Sequence, residues 1–137
     1  MSDFLAAALQ LTSSPNVDEN LSAAEEQIEL AVKRGADLVG LPENFGFMGD
    51  DNKRLELSRN LSEKCSKFLI TMARRYQVVL LGGGFPVPTN DGSHTLNRAQ
   101  LIGKDGQILA QYDKIHLFDV DLPEGNTYRE SATILSG

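Results

Sequence analysis

The sequence lacks tryptophan and has only one cysteine and two histidines among its 137 residues. A lone Cys65 cannot close an intrachain disulfide, and no cluster of Cys and His stands at zinc-ligand spacing, so neither a disulfide framework nor a zinc site is expected. Basic residues are also scarce, thirteen against nineteen acidic ones for a formal charge of −6. That balance argues against a nucleic-acid or anionic-membrane partner, since both need a basic surface. No apolar run approaches the length that spans a bilayer. The N-terminal "MSDFLAAALQL" carries Asp3 and no Lys or Arg, so it fails the signal-peptide pattern. A reducing, cytoplasmic location follows as the expectation, and the sequons at Asn20 and Asn60 have no secretory context. What is present, 41% hydrophobic and 23% charged residues, suits one soluble globular domain.

The apolar residues alternate between strand and helix patterns. Phe4 to Leu11 reads as a buried strand, closed by the breaker cluster "TSSPN". Asn16, with Glu19 three residues on, opens a helix in which Val17, Leu21, Ala24, Ile28, Ala31 and Val32 recur at steps of three and four until Gly35. "DLVGL", Asp37 to Leu41, is a second strand ended by Pro42, and strand-helix-strand order implies parallel pairing. Asn60 and Glu63 repeat the capping pattern before a stripe of Leu61, Cys65, Phe68, Leu69, Met72 and Tyr76. "VVLLGGGFPV" from Val78 is a third strand with a glycine-rich exit. "LNRAQLI", "GKDG" and "QILAQYDKI" then form a hairpin. "HLFDVDLPEGNTYRES" shows no sustained periodicity and reads as a long, functional loop.

Several candidate motifs have simpler explanations. Cys65 lies in register with an apolar stripe and should be a core residue rather than a nucleophile. "GGGFPVP" cannot cradle phosphate, because Pro86 and Pro88 forbid the helix such a loop must feed. Asp119, Asp121 and Glu130 match positions of a calcium loop, but Pro123 and Glu124 stand at its fifth and sixth positions, where the sharp turn needs glycine. His94 and His116 are isolated. There remain Glu43 after the second strand, Lys114 at the end of the hairpin and Glu130 in the loop. Strand ends are where α/β proteins gather their chemistry, and a carboxylate beside an ammonium offers a base and a cation for an oxyanion.

"LPENF" (41–45) and "YDKIHLFDVD" (112–121), in collinear order with "GADLVGLPE", "GGGFP" and the hairpin, resemble the carbon-nitrogen hydrolases of the nitrilase superfamily. Within that superfamily "KIHLFDVDLPEG" looks most like the branch of omega-amidases and deaminated glutathione amidases. The resemblance implies an α/β fold, the N-terminal half of an α-β-β-α sandwich, with a mixed sheet covered by two helices over residues 1–137. It implies a Glu-Lys-Cys triad that hydrolyses small ω-amides through a thioester, with no cofactor and no metal, in a homo-oligomer when full length. Glu43 matches the general base, Lys114 the triad lysine and Glu130 a second glutamate near the site. The family's cysteine falls beyond this chain, so the 137 residues alone should be inactive. The alternative is a non-catalytic binding module on a degraded hydrolase scaffold. Phe45 and Phe47 either line the pocket or anchor the loop, and Arg129 is available for a substrate carboxylate.

Overall fold

The computed structural model describes residues 3–123, 125 and 127–137; Met1, Ser2, Glu124 and Asn126 lie outside the described residues, so the calcium-loop comparison at Glu124 has no structural counterpart. A five-stranded sheet runs in the order β1 (Ala6–Ala8), β2 (Leu38–Gly40), β3 (Val79–Pro88), β4 (Thr95–Ile102) and β5 (Ile108–Asp113). The pairs β1–β2 and β2–β3 are parallel, whereas β3–β4 and β4–β5 are antiparallel. The sheet is therefore mixed, as expected for this α/β fold. Helices α1 (Val17–Lys33) and α2 (Asp51–Tyr76) touch each other and enclose one core with Val39, Leu80, Phe85 and Ile102.

Helix α1 forms where its cap and stripe place it. The Asn16 side chain accepts from the Asp18 and Glu19 amides, while Ser14 Oγ, rather than Glu19, receives the Asn16 N–H. Ala24, Ile28 and Ala31 are buried, Leu21 and Val32 pack beside them, and Gly35 at φ +89° takes the chain out of the helix.

Several expectations need correction. The first strand is limited to Ala6–Ala8, because it pairs on one side only, with a three-residue partner, and Phe4 and Leu5 are left exposed. The second helix starts at Asp51, not near Asn60: Asp50 caps it by accepting from the Lys53 amide. Its first turns bury Arg54 and Ser58, polar residues that leave no apolar stripe to read. From Leu61 onward the predicted stripe holds, and Cys65 is fully buried. Finally, the long loop contains a small antiparallel pair, β6 (Asp119–Asp121) with β7 (Thr127–Arg129), followed by a 3₁₀ turn η1 (Glu130–Ala132). Three-residue strands are too short to show alternation.

The glycines of β3 lie within the strand, not at its exit. Gly82 pairs with Gln100 and Phe85 with Arg98, so β3 spends three steps where β4 spends two, and one extra residue bulges out at Gly83–Gly84. Leu80 and Phe85 consequently both reach the helix-covered core although they are an odd number of residues apart.

Candidate active site

The site is assembled at strand ends on the sheet face opposite the helices. Leu41 donates to the Leu81 carbonyl and Gly83 to the Leu41 carbonyl, which carries the pairing one step past β2. Pro42 then passes so close to the bulge that a Cβ on Gly83 would lie 2.4 Å from the Pro42 carbonyl carbon and 2.6 Å from the Glu43 nitrogen. Asn44 takes the left-handed conformation (φ 59°), which Asn tolerates better than most residues, and its N–H donates to the Gly84 carbonyl at 2.7 Å. Phe45 drops into the core against Phe68 and Phe85, and Phe47 is also buried. Both aromatics therefore anchor the loop. Neither lines the clefts around Glu43. Asn20 pins the same loop from α1, donating to the carbonyls of Ser14 and Gly46.

Lys114 arrives from the β5 edge of the sheet. Arg98 grips Asp113 through two 2.8 Å bonds across β4 and β5, and the Lys114 N–H extends the ladder to the Asn97 carbonyl at 2.9 Å. Its ammonium then sits 3.2 Å from Glu43 Oε1 and 3.1 and 2.9 Å from the two Glu130 oxygens. Glu130 is 6% exposed and is further held by the Phe118 N–H at 2.6 Å. The three residues nominated from sequence thus meet on one ammonium. Burial pulls the Lys114 pKa down, but the hydrogen bonds and charges of Glu130 and Glu43 outweigh it, so the pKa lies above its ordinary 10.5. Lys114 is a fixed cation at neutral pH.

Two clefts open on this pair. One, of about 210 Å³, is walled by Gly83, Gly84, Asn97, Ala99 and Tyr112. The other, of about 360 Å³, is bordered by Met48, Arg54, Phe118, Tyr128 and Glu130. Arg54 is the arginine that faces the site; Arg129 pairs with Asp121 instead and lines neither cleft. The calcium-like carboxylates are also engaged separately, Asp119 with Ser131, Asp121 with Arg129, and Glu130 with Lys114. Cys65 lies behind the loop, where a Cβ on Gly46 would come within 2.4 Å of its sulfur, and burial pushes its thiol up to about 12. It is inert as a nucleophile.

Sequence reasoning missed two residues at this site. Asn97 is 5% exposed and donates through Nδ2 to Glu43 Oε1. Arg54 is hidden in the polar start of α2. Alternation along β4 does not flag Asn97, because its neighbours on that strand face are Thr95 and Ala99 and Thr95 is itself a buried polar residue.

The α/β scaffold thus brings a carboxylate from the end of β2 and an ammonium from the end of β5 together across the intervening β3 and β4, a proton acceptor beside a fixed cation. A model of the carbon-nitrogen hydrolase family matches residues 5–137, and the chain belongs to that family. It is 54% identical over 138 residues to a deaminated glutathione amidase of Synechocystis sp., covering 100% of this chain and 51% of that protein. It is 32% identical over 137 residues to omega-amidase NIT2 of Mus musculus, covering 49% of it. Among solved structures, the amidase of Nesterenkonia sp. AN1 superposes with a TM-score of 0.82 at 25% identity, over 98% of this chain and 50% of that one. That structure is a glutamate-to-glutamine mutant showing the result of Michael addition of acrylamide at the active-site cysteine. The chain spans about half the length of the relatives it matches.

Proposed function

We propose that residues 1–137 form the N-terminal part of an amidase domain in which Glu43, Lys114 and a cysteine supplied from outside these residues hydrolyse small ω-amides. The observation that carries this reading is the single ammonium held between the carboxylates of Glu43 and Glu130. The cysteine of the Nesterenkonia amidase and the names of the relatives support the nucleophile and the amide substrate. No thiol in this chain can serve, because Cys65 is its one cysteine and is buried.

In this reading Glu43 takes the thiol proton and the thiolate adds to the amide carbon. Asn97 and Lys114 hold Oε1, and among the described residues nothing hydrogen-bonds Oε2, which leaves that oxygen to move the proton. The Lys114 ammonium stabilises the oxyanion, and the two bonds it donates to Glu130 fix its direction. The C–N bond then breaks, Glu43 returns its proton to the leaving nitrogen, and ammonia departs from a thioester. Water, deprotonated by Glu43, adds to the thioester and releases the acid and the thiol. No metal or organic cofactor enters these steps. A cytoplasmic homo-oligomer is part of the same proposal.

The test is ammonia release from a short dicarboxylic monoamide such as succinamate. The full-length gene product should release ammonia, and the purified 137-residue chain should not. Ammonia above background from the short chain, or none from the full-length protein, would refute the reading. The second outcome would favour a binding module.

A further inference from the structure

We infer that Asn97 is a positioning residue for the general base, holding the Glu43 carboxylate and the Lys114 backbone in one frame; this rests on the amidase reading above. Asn97 lies on β4 with Ala99 and Leu101, facing away from the helices. Its Nδ2 donates to Glu43 Oε1, the same oxygen that receives Lys114 Nζ, and its backbone carbonyl accepts the Lys114 N–H. One residue therefore touches both members of the pair, one by side chain and the other by main chain. Glu43 itself is about half exposed, with a side-chain accessibility of 48%, so packing alone does not fix its rotamer. A donor that is 95% removed from solvent does.

The bulge serves this contact. A Cβ on Gly84 would lie 1.7 Å from Asn97 Oδ1, and one on Gly83 would strike the Pro42–Glu43 backbone. Both glycines leave the space in which the amide and the carboxylate meet. An amide also suits the task chemically, because it donates without titrating. The isosteric acid would turn an acceptor toward Glu43 and repel it.

The experiment compares Asn97→Asp and Asn97→Leu with wild type in the full-length gene product, by succinamate kinetics and by crystal structure. Loss of alignment at the base should lower kcat by about 10²-fold with KM little changed. The crystal structure should show Glu43 turned away from Lys114. A kcat within about threefold of wild type in Asn97→Asp, which keeps the side-chain volume, would overturn the inference, as would Glu43 left in place in that variant's structure. Should Asn97→Leu fail to fold, Asn97→Asp decides. A wild-type protein inactive on succinamate would overturn the amidase reading alone, and the position of Glu43 in Asn97→Asp would still decide for Asn97.

Discussion

The two faces of the central sheet differ in what they bury and in what they present. Toward the helices, Val39, Leu80, Phe85 and Ile102 are 1% exposed or less and join one apolar core. On the opposite face Leu81 is 40% and Tyr112 54% exposed, Leu101 and Ala99 are partly open, and Glu43, Asn97 and Lys114 gather beside them. Alternation along β3 and β4 sends neighbouring residues to opposite faces, so one strand serves both. The apolar core is concentrated on the first face and the proposed chemistry on the second. The contrast suggests that substitutions on one face should read out in folding and on the other in turnover or association.

The largest effect is expected at the site. Glu43→Gln and Lys114→Ala in the full-length gene product should each lower kcat/KM by about 10³-fold while the far-ultraviolet circular dichroism is unchanged. Near-normal turnover in either would break the assignment. Leu80→Ala should cost about 2–5 kcal/mol in urea unfolding, whereas Leu81→Ala, one residue along, should cost about 0.5 kcal/mol. Equal costs would dissolve the distinction between the faces. Gly46→Ala should cost about 1–3 kcal/mol, because its Cβ would enter the space of the Cys65 sulfur, and less in a Cys65→Ala background.

Alkaline pH should act on the covered face first. The folded Cys65 thiol ionises near 12 rather than 9.0, so above pH 9.0 the unfolded chain loses a proton that the folded one keeps, and stability falls as pH rises toward 12. Lys114, with its pKa raised above 10.5, contributes stability fully present below pH 10.5 and lost as pH climbs through the raised value. Urea midpoints across this range should fall, and Cys65→Ala should flatten the earlier part of the fall. A small effect is expected at the cap of α1, where Asn16→Ala should cost about 1 kcal/mol and leave turnover alone.

Legibility in the sequence followed the same division. Periodicity found α1, the Leu61-to-Tyr76 part of α2, the core role of Cys65 and the β4–β5 hairpin, since burial on one side writes itself as spacing. Glu43, Lys114 and Glu130 could be nominated because motifs resembling a family pointed to them, and the fold brings all three together. The start of α2 was illegible because it buries Arg54 and Ser58, and the β6–β7 pair because it is too short to alternate. Asn97 was illegible for a different reason. Its partner lies 54 residues away and arrives only through the bulge.

The paired glycines at that bulge also bear on how such a chain can change by descent. Regular β3–β4 pairing needs one residue between Gly82 and Phe85, and the strand has two. Loss of either glycine would leave Phe85 opposite Arg98 and every later side chain on its present side, so folding would register little. The Pro42–Glu43 crossing would lose its gap, and with it the placement of Glu43. One codon therefore separates a lineage that keeps both the scaffold and the Glu43 placement from one that keeps the scaffold alone.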